Sequence, residues 1–183
     1  GGFNFADVYD DQTTINGSYF FNKTSLFNTN NSFTQNLLGN TSSTNKNDLV
    51  STSDRTNHRF NFIIDTKLDS NTSIRVQPSI SYGENTGNNL STYNRSLLTT
   101  NTVGTQNFET NSNSPSIGNS ILVRKKFKRR GRTLSLNINT NINENDSDNI
   151  NYILDRTTFG TRVTEKLTNQ LNDNNSSTVS NTT

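Results

Sequence analysis

The chain has 183 residues, a formal net charge of +2 and charged residues at 17%. Its mean hydropathy is −0.82 and hydrophobic residues make up only 27%, against roughly 45–50% apolar in an ordinary soluble domain. That leanness argues against a solid core, the absence of Cys excludes disulfides and thiolate sites, and a single His argues against a transition-metal centre.

Disordered chains of low hydrophobicity carry high net charge and few rings, whereas this one has 11 Phe and 5 Tyr. Its polar mass is neutral: Asn and Thr together make up about a third of it, far above average usage. No segment approaches the roughly 18 consecutive apolar residues of a membrane helix. The start at Gly1-Gly2 and the end in SNTT read as an internal fragment of a longer polypeptide.

Period-two alternation marks the elements. In residues 2–24, Phe3 and Phe5 are followed by a turn at Asp10-Asp11, then by Ile15, Gly17, Tyr19 and Phe21. Residues 25–56 read as a long polar loop. In residues 57–82, Phe60, Phe62, Ile64, Thr66 and Leu68 alternate with Asn61, Ile63, Asp65 and Lys67. After Asp69-Ser70-Asn71 come Ile74, Val76, Pro78, Ile80 and Tyr82, alternating with Ser73, Arg75, Gln77, Ser79 and Ser81. That is a hairpin, although Pro78 argues against a central strand in a soluble sheet.

Residues 83–116 read as a second long loop. In residues 118–143, Ile121, Val123 and Phe127 lead to a turn at Arg129-Arg130-Gly131, then to Leu134, Leu136, Ile138 and Ile142. Leu122 is out of phase, and Thr140 breaks the apolar run. Residues 144–183 read as a third loop, with a strand near Asn151–Asp155, a short helix suggested by Val163, Leu167 and Leu171, and a mobile tail from Asn172. The count is about six strands.

Connections that alternate short and long are the pattern of an antiparallel transmembrane β-barrel, with short periplasmic turns and long extracellular loops. Phe60 to Leu68 rises about 30 Å, a little over 20 Å after a tilt of about 45°, close to the roughly 25 Å apolar band of such barrels. Tyr19, Phe21, Phe60, Phe62 and Tyr82 then fall toward the outer strand ends, and Tyr9 and Phe127 toward the inner ends, as aromatic girdles do. The expected lipid-facing set is Phe60, Phe62, Ile64, Leu68, Ile74, Val76, Ile80, Leu134, Leu136 and Ile138. The girdle set is Tyr9, Tyr19, Phe21, Tyr82 and Phe127, and the lumen-facing set is Arg75, Gln77, Asn137 and Asn139. A wet lumen makes the Asn-rich second face inexpensive, and closing the sheet requires further strands.

The stretch NHRFNFIIDTKLDSNTSIRVQPSISY, residues 57–82, resembles a segment of the outer-membrane β-barrel proteins of Bacteroidota related to TonB-dependent receptors. The stretches GGFNFADVYDDQTTINGSYFFNKT and LVRKKFKRRGRTLSLNINTNINEND resemble flanking hairpins of that family. The likeness covers most of residues 1–143 and carries no catalytic signature. It implies a bacterial outer-membrane location in a Gram-negative cell and transport or reception of a ligand. It also implies contact with TonB and a plug through parts outside these residues, and with other outer-membrane or surface lipoprotein subunits.

Other candidate sites have plainer readings. The run from Arg124 through Lys125, Lys126, Phe127, Lys128, Arg129, Arg130 and Gly131 to Arg132 suggests an anion or nucleic-acid site. As one basic hairpin tip, it reads better as a periplasmic turn with cations at headgroup level, with no nucleic-acid partner. Glu144, Asp146 and Asp148 supply oxygen ligands for calcium, but lack the EF-hand order and read as solvated loop. His58 has no nucleophile at a catalytic spacing. Asp10-Asp11 is a turn, and the Asn-x-Ser/Thr sequons, such as Asn16-Gly17-Ser18 and Asn22-Lys23-Thr24, follow from composition. The expectation is a non-enzymatic barrel segment without cofactor. Two other classes stay open: a structural barrel subunit of an outer-membrane assembly, and a secreted Asn/Thr-rich β adhesin whose apolar face is buried in a core.

Overall fold

The computed structural model describes residues 1–39 and 41–183. The chain forms one antiparallel sheet of seven strands, in the spatial order of the sequence. They are β1 (Gly2–Tyr9), β2 (Thr13–Leu38), β3 (Thr41–Asp69), β4 (Thr72–Leu97), β5 (Thr100–Lys126), β6 (Thr133–Phe159) and β7 (Arg162–Thr182). β1 and β7 do not pair, so the sheet is open. Strands touch only their sequence neighbours, no second layer covers either face, and among the described residues Tyr93 alone is a buried hydrophobic.

The three hairpins stand as expected. Tyr9 faces Thr13, Asp69 faces Thr72, and the β5–β6 connection runs from Phe127 to Arg132, closed by the bond from Phe127 N–H to the Arg132 carbonyl at 3.0 Å. The long loops do not stand. Residues 25–56 belong to β2 and β3, which close at Leu38↔Thr41. Residues 83–116 belong to β4 and β5, which close at Leu97↔Thr100. Most of residues 144–183 belong to β6 and β7, which close at Phe159↔Arg162. Period two reports a difference between two faces, not a strand as such. Where both faces are Asn, Ser and Thr, the alternation vanishes while the backbone ladder continues. The turns that reverse the chain carry a left-handed residue at Gly39 (φ 63°), Leu98 (φ 53°) or Gly160 (φ 57°).

The helix suggested by Val163, Leu167 and Leu171 is strand β7, and the tail past Asn172 is paired with β6 up to Thr182. A spacing of four residues is an even number, so it marks one face of a strand as well as one stripe of a helix. The strand near Asn151–Asp155 is part of the C-terminal third of β6.

Pro78 does sit in a central strand. Pairing between β3 and β4 holds at Asn61↔Ser79 and Ile64↔Val76 but skips Phe62 and Ile63. The missing N–H of Pro78 is the cause, because it removes the bond that both skipped pairs need. Pro115 does the same between β5 and β6, where pairing lapses between Asn113↔Asp146 and Ser116↔Asn143.

Candidate membrane interface

Register alone sorts the side chains. Ile64 stands beside Ile15 on β2 and Val76 on β4; Val76 stands beside Ile121, and Ile121 beside Ile138. The neighbouring row is Phe3, Tyr19, Phe60, Ile80, Ile117, Ile142 and Val179. On the other side lie Thr66, Ile74, Val123 and Leu136, and beyond them Lys125 with Leu134. Between the first two rows lie Phe5, Gly17 and Phe62, then Pro78, Asn119 and Thr140. Thr140 thus breaks the apolar run within a row that is already small or polar on three strands.

The expected lipid-facing residues therefore stand on one face near the turn end of the sheet, except Leu68, which falls within the register shift between Lys67 and Asp69 and has no cross-strand partner. Nothing covers this face: Phe60 is 38% exposed, Ile80 47% and Leu134 56%, while Phe62, Ile64, Ile74, Val76 and Ile138 are half-buried by their own neighbours.

The upper rim of this belt is aromatic. Tyr19 lies 4.5 Å from Phe60 between ring centroids, Phe21 lies 5.0 Å from His58, and His58 lies 6.5 Å from Tyr82. His58 belongs to this aromatic row, with its Nδ1 2.8 Å from the Tyr19 hydroxyl. Sequence reasoning set His58 aside because it asked only about catalysis; the ring's parity with Phe60 was the available signal. Gly17 fits the same cluster, since a Cβ there would strike the Phe5 ring. Tyr9 and Phe127 stand at the turn end, both exposed.

The opposite face is mostly polar, with Phe20, Ile63 and Leu122 among its apolar members in the same span. Arg75 Nε donates to Asp65 Oδ1 at 2.7 Å, Ser120 donates to Asn137 at 3.4 Å, and Asn139 donates to Thr182 at 3.4 Å. Gln77 is on this face opposite Ser120. Leu122 stands here too, directly between Arg75 and Asn137, where the aliphatic stem of an Arg accommodates a leucine. The polar ladder climbs past the belt: Ser51 donates to Asn89 at 2.6 Å, Gln106 to Asn151 at 3.0 Å, and Asn151 to Gln170 at 3.2 Å. High on the same face, Tyr93 packs where Gly104 leaves room for its ring, donates to Asp155 and lies under the Arg95 guanidinium at 4.3 Å. Burial, and then the Asp155 carboxylate, push its phenol up to about 12.

The calcium candidates are regrouped. Asp146 and Asp148 come together with Asp173, their ligand atoms all within 4.8 Å of one another. Asp173 joins because β7 sets it directly opposite Asp148, while Glu144 lies lower, opposite Ser177. All three aspartates are exposed.

The basic run occupies the turn end. The Lys126 N–H donates to the Asn71 carbonyl at 2.8 Å and the Lys67 N–H to the Gln12 carbonyl at 3.0 Å, so neighbouring turns are stitched into one rim. Asp69 caps its own turn, accepting from Asn71 N–H at 2.6 Å and from the Thr72 hydroxyl at 3.0 Å. Those bonds hold its carboxyl below the usual range.

No protein-family model matches the chain, and no curated protein matches it. Among solved structures it is weakly similar to the siderophore receptor PiuA from Acinetobacter baumannii: 7% identity, 98% of this chain, 44% of that one, TM-score 0.18. It is likewise similar to the outer membrane transporter YddB from Escherichia coli: 6% identity, 93% and 35% covered, TM-score 0.20. Against OccK1 from Pseudomonas aeruginosa the identity is 4%, with 96% and 68% covered and a TM-score of 0.16. The chain spans less than half the length of the first two. Superpositions this loose carry no argument of their own, so the fold stands as an open, all-β antiparallel sheet.

Proposed function

We propose that this chain is a wall segment of an outer-membrane β-barrel, in a receptor or transporter of the TonB-dependent kind. The belt meets lipid and the Asn/Ser/Thr face lines a wet interior. One observation carries the reading: in the turn-end half of six strands the apolar and aromatic residues gather mainly on one uncovered face, up to the row of Phe21, His58 and Tyr82, while the reverse of that band is mostly polar, with Phe20, Ile63 and Leu122 among the exceptions. On β2 the same face continues above the rim with exposed Phe27 and Phe33. From the Phe21–His58–Tyr82 row to the Leu68 level is about 33 Å along a strand, or about 23 Å after the usual tilt, which matches an apolar band of roughly 25 Å.

A secreted adhesin would turn this face into a core, and no second layer is available to make one. The bilayer also tolerates no open edge, so the reading requires strands from this or another polypeptide beside β1, upper β2 and β7. The part of the sheet above the belt, as in Thr41 to Asn57, extends beyond the hydrocarbon and suits reception of a ligand or contact with surface subunits. No chemical step is assigned to it.

The test is depth-resolved fluorescence in bilayers with brominated acyl chains, using the Trp-free background. Leu136→Trp should be quenched strongly and Asn137→Trp hardly at all. Equal quenching of the two adjacent positions would refute the assignment of faces.

A further inference from the structure

The rim below the belt concentrates positive charge. Seven of the chain's 17 Lys and Arg fall between Arg124 and Arg132, and Lys67 joins them across a groove lined also by Thr72, Ser73 and Leu134. The ion pairs among the described residues are Lys46–Asp48, Arg75–Asp65 and Arg156–Glu165, none of them in this rim. The acids of the turn end are Asp10, Asp11 and Asp69. Asp69 lines the same groove as Lys67, Arg124, Lys125 and Lys126, while Asp10-Asp11 belongs to the β1–β2 turn, three strands from β5, so one nearby carboxylate meets a large excess of cations. Lys125 emerges on the belt face itself, in the last row, between Thr72 and Leu134.

The apolar belt therefore ends at a turn rim rich in cations, of which Lys125 stands on the belt face, Arg124, Lys126 and Lys67 on the reverse, and Lys128, Arg129, Arg130 and Arg132 in the turn itself. We propose that this rim binds the phosphate-bearing headgroups of anionic phospholipids in the leaflet at the turn end, and so fixes the depth of the sheet in the bilayer. The inference rests on the membrane reading above. A polybasic segment at a membrane surface gains roughly 1 kcal/mol per Lys or Arg, so a few cations acting together give a preference well above tenfold. The gain is screened by salt.

The sheet, together with the strands that close it in the parent barrel, is refolded in the presence of vesicles of phosphatidylcholine alone and of phosphatidylcholine mixed with phosphatidylglycerol. Protease protection reports insertion; co-flotation over a salt series reports affinity. The expected result is insertion into both, with an affinity for the anionic vesicles higher by about tenfold or more, falling steeply with salt. Lys125→Gln combined with Lys126→Gln, Arg129→Gln and Arg130→Gln should abolish the preference and leave insertion into neutral vesicles intact. The milder pair Arg129→Gln and Arg130→Gln, confined to the exposed turn, should reduce it in part.

Insertion without lipid preference, or a preference the variants keep, overturns the headgroup proposal alone. Failure to enter neutral vesicles overturns the membrane reading, even if the protein adheres to anionic surfaces. Loss of the preference on adding inorganic phosphate, or tighter binding to a single-stranded oligonucleotide than to anionic vesicles, overturns the lipid as the ligand.

Discussion

At the residue scale, Leu98 is the clearest point of strain. It holds φ 53° at the first position of the two-residue turn between β4 and β5, a region that costs an L side chain roughly 1–2 kcal/mol. The equivalent turn between β6 and β7 uses Gly160. Leu98 is 69% exposed, so its side chain offers little packing in return. Leu98→Gly should raise stability by about 1 kcal/mol, read from a denaturant midpoint, and Gly160→Leu should lower it similarly. Neither turn was read from the sequence: Gly160 lay in a presumed loop, and nothing in a leucine announces positive φ at Leu98. Tyr93 was equally hidden: its pocket exists only because β5 brings Gly104 beside it and β6 brings Asp155.

At the element scale, the two prolines set the weak points of the long strands. The Phe62 carbonyl lacks a ladder donor opposite Pro78, in the middle of the belt, where water would not replace it. Pro78→Val should restore the N–H, extend the β3–β4 pairing through Phe62 and Ile63, and stabilise the sheet by about 1 kcal/mol. Protection of the restored amide at position 78 from exchange is the specific readout; a stability gain without that protection would point to packing instead. The half-strands on either side of the belt show why element lengths escaped sequence reading. Phe60 to Leu68 alternates because its two faces meet different surroundings. Thr41 to Asn57 and Gly83 to Leu97 are polar on both faces, so the same backbone ladder leaves only a faint periodic trace.

At the scale of the whole molecule, the belt predicts an asymmetry that no single strand could. Ile138 shares the central row with Ile15, Ile64, Val76 and Ile121, while Asn139 is its neighbour on the wet face. Ile138→Arg should cost about 2–4 kcal/mol of folding stability in a bilayer, and Asn139→Arg less than about 1 kcal/mol. Similar costs at both positions would mean that the two faces do not differ in solvent. The long strands also place most of the polar sheet beyond the belt: β3, with 29 residues, runs about 95 Å at the usual rise per residue.

The sequence by itself determined the three turn-end hairpins, the parity of the apolar residues it placed in strands between Phe60 and Tyr82 and between Ile121 and Ile142, Leu122 and Ile63 excepted, and the two levels of aromatic rings. These are local consequences of a period of two and of turn chemistry. Only the tertiary structure decided that the supposed loops are strands, that Val163, Leu167 and Leu171 line a strand, that His58 completes the aromatic rim, and that Asp173 rather than Glu144 joins Asp146 and Asp148. Each of those depends on which neighbour a strand receives across the sheet. That choice is written in register, through backbone bonds that every residue except proline donates alike.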